Sequence, residues 1–384
     1  VTRRPRGRLL RWLRRVLTVV VLLATAAVAG VSWYFSGTAV AVDHSPYYPQ
    51  LVQRVLDGRV QLSRDPWSVV PGTYGLAWPG GYGTVGEPGR TTASSVVRPY
   101  TPVRGTPPVG ASAWVDPFAY QGDPKTALGL DFQQVTVTSD VGALPTWYVP
   151  AADAATWVVF VHGRGSTREE SLRYLGLWHS LGLPVVVPMY RNDVGAPPSP
   201  DGINHLGDTE WQDVAAAVGW ALTHGAQDVV LAGWSMGGAI ALQVLDRPPA
   251  GSAVRGVVLD SPVLDWRDTF ARQGSDRGLP RPLTAVAVRV LEQRYGIDLD
   301  RYDWPSRARD LTVPVLLFHS DADSFVPDGP SRALARARPD LVTFVDVPGA
   351  EHTRSWNVDR AAYSAAMRRW LVATGSVPAR EPAG

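Results

Sequence analysis

The chain of 384 residues contains no cysteine. Disulfides, thiolate metal sites and a cysteine nucleophile are therefore excluded, although the compartment is not fixed by that fact. Lysine is nearly absent as well: Lys125 is the only one, and arginine supplies the rest of the 37 basic residues, a bias that points to genome composition. None of the seven histidines stands in a His-x-x-x-His or His-Glu-x-x-His pattern, so no metal site is indicated. No internal repeat is visible. Acidic residues are missing from positions 1–15, which hold seven arginines. Taking those seven from the net charge of +2 leaves −5 for the remainder. The body of the chain is mildly acidic, and the basic isoelectric point gives no case for a nucleic-acid partner.

What is present indicates a globular protein with a substantial core, since 45% of residues are hydrophobic and 15 are tryptophan. The length allows one large domain with additions. Residues 16–35 form a charge-free run that ends in Trp33-Tyr34-Phe35. Twenty helical residues rise about 30 Å, the thickness of a bilayer's hydrocarbon core. We expect residues 1–15 to be a basic cytoplasmic stub, 16–35 a transmembrane signal-anchor, and everything beyond to lie outside the cytoplasm. Two other readings stay open. Ala27-Val28-Ala29 has the form of a signal-peptidase site, so cleavage after Ala29 would release a secreted protein. Arg14-Arg15 has the form of a twin-arginine signal, although the residues after it fit poorly.

Residues 36–130 are dense in glycine, proline and aromatics, as in Pro71-Gly-Thr-Tyr-Gly-Leu-Ala-Trp-Pro-Gly80. A helix near 47–57 and then irregular or β structure are expected in this membrane-proximal extension. From residue 131 the pattern changes. Apolar runs of strand character lie at 133–138, 146–149, 156–161, 184–189, 228–232, 256–259, 313–318 and 342–347. Helical stretches at 168–181, 209–223, 236–245, 331–337 and 359–372 separate most of them. Within 208–211, Asp208 or Thr209 is the expected cap of the second of these. Strands alternating with helices predict an α/β fold with a doubly wound, mostly parallel sheet over 131–373. The alternation breaks at 266–309, which reads as a lid-like insertion with one helix at 283–295. Residues 374–384 read as a flexible tail.

Gly233-Trp234-Ser235-Met236-Gly237 stands between the run at 228–232 and the helical stretch at 236–245. Strand, Gly-x-Ser-x-Gly, helix is the layout of a nucleophile elbow, a sharp turn that lifts a serine hydroxyl above a parallel sheet. The pattern alone is weak in a glycine-rich chain, so its partners matter. His352 is the one histidine downstream of the last strand, and imidazole can take and return a proton near neutrality. The turn after the strand at 313–318 offers Asp321 and Asp323 as the acid. Asp323 is favoured, with Asp321 shaping the turn, while Asp260 and Asp265 after an earlier strand remain competitors. An oxyanion hole needs two backbone N–H groups. Met236 supplies one, and the loop His162-Gly163-Arg164-Gly165 after strand 156–161 supplies Arg164 N–H as the other. That loop lacks the lysine of a phosphate-binding loop and the third glycine of a dinucleotide fingerprint.

On His162-Gly163, Gly233-Trp-Ser-Met-Gly237, His319-Ser-Asp-Ala-Asp323 with Val326-Pro327, and His352, the sequence resembles the α/β-hydrolase superfamily, in its serine aminopeptidase, esterase and dienelactone-hydrolase-like neighbourhood. The resemblance covers roughly residues 130–373 and implies a Ser235–Asp323–His352 triad. The membrane-anchored, arginine-rich layout resembles an actinobacterial envelope protein. His162, Gly163, Trp234 and Arg191 are candidates for contact with substrate. Arg191 is more readily read as part of a structural ion pair and turn, and Trp266 and Trp304 more readily as packing than as lid residues. The expected activity is cleavage of a carboxylic ester or an amide through an acyl-enzyme. An acyltransferase using the same triad on envelope components and a non-catalytic binding protein are the alternatives. No metal or organic cofactor is called for. The expected partners are a small-molecule, lipid or peptide acyl substrate and the membrane.

Overall fold

The computed structural model describes residues 6–152 and 155–378. It begins with one helix of 35 residues, α1 (Arg6–Val40), which overruns the expected 16–35 at both ends. Nothing in the sequence stops it sooner. Arginine and leucine before Val16 are good helix formers, Gly30 and Gly37 cost only about 1 kcal/mol each, and the first proline after Pro5 is Pro46. Among the described residues α1 is the one helix long and apolar enough to cross a membrane. Its early turns are exposed all round, whereas Ser32, Ser36 and Val40 are buried at four-residue spacing, so its final turns carry a packed stripe.

The glycine- and proline-rich extension folds into a closed six-stranded barrel. Its strands are β1 (Gln50–Leu56), β2 (Arg59–Ser63), β3 (Tyr74–Trp78), β4 (Gly81–Val85), β5 (Ser95–Arg104) and β6 (Ser112–Asp116), in the order β1-β2-β5-β4-β3-β6 with β6 returning to β1. The helix expected at 47–57 is thus the strand β1. Leu51, Val52, Val55 and Leu56 satisfy a helical period as well as a strand, and the deciding element is the hairpin turn Asp57-Gly58, with Gly58 at φ 63°. Val52, Leu62, Leu76 and Val115 fill the barrel's small core. At one end the buried Arg98 guanidinium donates to the carbonyls of Ser68, Val70 and Gly72 at 2.9–3.1 Å, tying down the β2–β3 loop.

A short helix α2 (Pro124–Leu128) leads into the second sheet. That unit runs β7 (Gln133–Ser139), β8 (Gly142–Val149), β9 (Thr156–Val161), α3 (Leu172–Ser180), β10 (Val185–Pro188), α4 (Trp211–Thr223), β11 (Asp228–Trp234), α5 (Met236–Leu245) and β12 (Val254–Asp260). It continues through α6 (Trp266–Asp276), α7 (Arg281–Tyr295), β13 (Val315–His319), α8 (Gly329–Ala337), β14 (Val342–Asp346), α9 (Ser355–Val358) and α10 (Arg360–Ala373). The sheet order is β14-β13-β12-β11-β9-β10-β8-β7, parallel from β14 to β10 and antiparallel at β8 and β7. Every residue of β9 is buried, with Val159 and Val161 in the core layer of α4 and α5 and Val158 and Phe160 in that of α3 and α10. A strand covered on both faces reads as an unbroken apolar run, as this one does. The insertion is a helical hairpin, α6 and α7, above the carboxyl edge of β12. The tail begins later than residue 374, because Ser376 and Val377 are buried, and residues 379–384 lie outside the described residues.

Candidate active site

The turn between β11 and α5 holds Ser235 at φ 54° and ψ −121°, a conformation L-residues avoid unless their surroundings impose it. Two glycines make that possible. A Cβ on Gly233 would lie 2.4 Å from the Gly237 carbonyl oxygen, and one on Gly237 would lie 2.2 Å from that of Val161. The Ser235 N–H donates to the Asp260 carbonyl on the neighbouring strand at 3.1 Å, anchoring the turn to the sheet.

His352, on the loop after β14, lies 2.8 Å through Nε2 from Ser235 Oγ and 2.8 Å through Nδ1 from Asp323 Oδ2. Asp323 accepts the Phe325 and Val326 N–H groups on its other oxygen, at 2.9 Å each, so the turn after β13 fixes its orientation. Burial opposes charge on Asp323, but His352 and His319 beside it outweigh burial and hold its carboxyl well below the ordinary range. In turn, burial disfavours a charged His352 while Asp323 favours it, and the balance raises the imidazole above its ordinary value. An ionised Asp323 requires Nδ1 to carry the proton of the neutral ring. Nε2 is then left as an acceptor facing the serine hydroxyl.

The competitors for the acid lie elsewhere. Asp321 is exposed, and Asp265 caps α6 by accepting the Arg267 and Asp268 N–H groups. Asp260 is fully buried with Ser355 Oγ at 2.9 Å, and burial pushes it up to about 6.

The loop after β9 passes beside the serine, a Cβ on Gly163 being placed 3.3 Å from that of Ser235. Arg164 and Met236 line the same cavity as Ser235 and His352. The sequence reading missed what holds this loop. Buried Glu170 accepts the Gly163 N–H at 2.8 Å and pairs through its second oxygen with Arg173 at 3.1 Å. Arg173 donates onward to the Thr353 carbonyl, next to His352, at 2.8 Å. The loop of Gly163 and the loop of His352 thus share one buried ion pair. Its signal was available as a glutamate and an arginine three apart at the start of a helix.

Three expected substrate contacts face elsewhere. Arg191 is buried against Asp213, with Asp140 at 2.5 Å, because a guanidinium enclosed there needs carboxylates around it. His162 is fully buried, stacked on Tyr190 and 2.9 Å from Asp193, where it shapes the loop. The Trp234 side chain points under the sheet and donates to Tyr174 Oη at 2.6 Å. Gly163 serves through its lack of a side chain. Of the two insertion tryptophans, Trp266 lines the cavity and Trp304 is core. Neither Asp208 nor Thr209 caps α4: the helix starts after Glu210, whose carboxylate makes no cap bond to the helix but accepts the His205 and Gly207 N–H groups of the preceding loop at 2.7 and 2.9 Å.

The cavity over Ser235 measures about 360 Å³, and residues 41–44, just beyond α1, form part of its wall. The Arg164 side chain donates to the Ala41 carbonyl at 2.8 Å, and Asn204 N–H to that of Val40 at 2.8 Å. Among the described residues no group of three or more His, Asp or Glu side chains is placed to hold a metal ion.

The barrel matches a family described as a domain of unknown function (DUF8805), over residues 51–116. An uncharacterized protein of Mycobacterium tuberculosis is 28% identical over 248 residues, 62% of this chain and 79% of its own length. A Pyrococcus furiosus esterase superposes with a TM-score of 0.54 at 20% identity, over 66% of this chain and 94% of that one. A Thermogutta terrifontis esterase gives 0.50 at 21% identity, over 66% and 96%. At such identities the two structures establish the fold. Residues 158–379, more than half of the chain, match the family model described as the alpha/beta hydrolase family, and the protein belongs to that family.

Proposed function

We propose that this protein is a membrane-tethered serine hydrolase that cleaves a carboxylic ester through an acyl-enzyme on Ser235. The observation that carries the reading is the relay from Ser235 Oγ through His352 to Asp323, with 2.8 Å at each link, opening into a cavity. Nε2 of His352 takes the hydroxyl proton as Oγ attacks the ester carbonyl. Asp323 stabilises the resulting imidazolium, and the Arg164 and Met236 N–H groups receive the oxyanion. The tetrahedral centre collapses, the alcohol leaves with the proton from Nε2, and the acyl group stays on Oγ. Water then attacks the acyl-enzyme with His352 again as base, which frees the acid and restores the serine.

The structural neighbours support this chemistry. Both are named esterases, and the Thermogutta protein has been observed phosphonylated by sarin, an electrophile of the kind an activated nucleophile captures. The apolar α1 and the arginines at 1–15 support a tether with the active site outside the cytoplasm. The test is labelling of the full chain with a fluorophosphonate, with the adduct located by mass spectrometry. Modification of Ser235, lost in Ser235→Ala together with ester turnover, is the expected result. No adduct on Ser235, or full turnover by Ser235→Ala, would end the proposal.

A further inference from the structure

A second cavity, of about 380 Å³, adjoins the one over Ser235. The two share Arg164, Phe270, Gln273 and Phe325, so they adjoin at these four side chains, with the serine on the far side of one of them. The second part is built unusually. One wall is α1, through Tyr34, Phe35 and Ala39, and the other is the insertion, through Leu279, Ala287 and Leu291. The membrane helix and the lid thus face each other across a predominantly apolar slot.

The contact between them is fixed by specific bonds. Arg294 of α7 stacks on the Trp33 ring at 3.6 Å and donates to the Trp33 carbonyl at 3.0 Å and to Ser36 Oγ at 3.2 Å. The far end of α1 is held by Arg164 and Asn204. The helix that spans the bilayer therefore runs without a break into the wall of the slot. Tyr34, which lines the slot, is 64% exposed, so this part of the slot borders the outer surface of α1 where its apolar run ends.

Resting on the reading of Ser235 as the nucleophile, we propose that this slot is an acyl-chain channel, and that the substrate is a long-chain fatty-acyl ester drawn sideways from the bilayer that holds α1. A chain passing from lipid to the active site through water loses about fourfold in equilibrium for each exposed methylene, which corresponds to about 0.8 kcal/mol. A route lined mostly by apolar side chains lowers that barrier. The ester carbonyl then lies over Ser235 in the first cavity, with its acyl tail between α1 and the α6–α7 hairpin.

The test uses the full chain in phosphatidylcholine vesicles and p-nitrophenyl esters from acetate to palmitate. We expect kcat/KM to rise with acyl length well beyond butyrate. Ala287→Trp and Ala39→Trp fill the slot from opposite walls. Each should lower long-chain turnover at least tenfold while butyrate stays within twofold. A profile that is flat or falls beyond butyrate, or variants that lower all esters alike, would overturn the channel. The source is tested by placing a dioleoyl glycerol ester either in the protein's own vesicles or in separate ones. Turnover confined to the shared vesicles is expected, and equal rates would overturn lateral entry. If no ester is cleaved and Ser235 takes no label, the hydrolase reading fails on its own. The channel is then decided by a diazirine-bearing phosphatidylcholine. Crosslinks to the α6–α7 peptide that disappear in Ala287→Trp sustain it, and their absence in the wild type overturns it.

Discussion

Replacing Asp323 by Asn changes one oxygen for an amide nitrogen, and the turn around it dictates where that nitrogen goes. Oδ1 of Asp323 accepts two backbone N–H groups, from Phe325 and Val326. An amide nitrogen there would face two donors, so the Asn oxygen keeps that place and Nδ2 occupies the position now 2.8 Å from His352 Nδ1. A donor at this position makes Nδ1 the acceptor and moves the ring proton to Nε2, which faces Ser235 Oγ. The serine then has no base, and the imidazolium formed during attack has no carboxylate. Loss of tautomer control in a triad of this geometry costs about 10⁴ in kcat, or about 5.5 kcal/mol of barrier. Stopped or continuous ester assays on full-length Asp323→Asn, with KM measured separately, read this directly; KM should change little. Labelling by a fluorophosphonate should slow in parallel. Turnover within tenfold of wild type would refute the reasoning. Asp260, buried nearby with Ser355, would then be the carboxylate to test by Asp260→Asn.

The pH profile follows from the same pair. Attack needs neutral His352, whose folded value is raised above 6.5, so kcat/KM should fall as pH drops through a point above 6.5; a limb below 6 would contradict the ion-pair account. In Glu170→Gln one oxygen becomes an NH₂ that must face either the Gly163 N–H or Arg173, both donors. Breaking a buried pair costs about 3 kcal/mol or more, a fall of about 6–12 °C in Tm, and kcat should drop about tenfold as the loop of Arg164 shifts. A lowered Tm with unchanged kcat would show that Glu170 does not position that loop. Asn357 donates to the Thr73 and Pro117 carbonyls at 2.8 and 2.9 Å, joining the barrel to the region after His352. Asn357→Asp puts a carboxylate against two carbonyls, so it should lower both Tm and kcat, and normal values for both would separate the barrel from the active site.

The hydrolase sheet was legible because its central strands are covered on both faces. Such strands show as apolar runs with no need of a partner, and β9, β11 and β13 stand where those runs stand. The N-terminal barrel was opaque for the opposite reason. Its core residues come from six strands, five of them only five to seven residues long and two bearing glycine, whose pairings join β1 to β6 and β2 to β5. No window of sequence contains that information, and β1 by itself fits a helical period as well as an extended one. The helix α6 was missed on similar grounds, since Trp-Arg-Asp-Thr-Phe-Ala-Arg-Gln-Gly-Ser-Asp has only Trp266 and Phe270 to mark an apolar face.

At the site, legibility divided along the same line. Ser235, Asp323 and His352 each end a strand or follow one, and a parallel sheet must bring such ends to one edge. Their convergence needs only the strand order. The groups that make the constellation rigid obey no such rule. Glu170 and Arg173 reach Gly163 on one side and Thr353, 180 residues away from Arg173, on the other. The chain after α1 reaches the Arg164 guanidinium across 123 residues. These long-range bonds also alter what the parts are for. Read alone, residues 16–35 are a span and 266–309 a lid. Once Trp33 is stacked under Arg294 and Ala41 held by Arg164, the helix can no longer be separated from the cavity it walls. A tether that merely localised the enzyme would need neither contact. Its docking onto the α6–α7 hairpin makes the position of α1 a determinant of pocket shape and, in the proposed channel, of which esters reach Ser235.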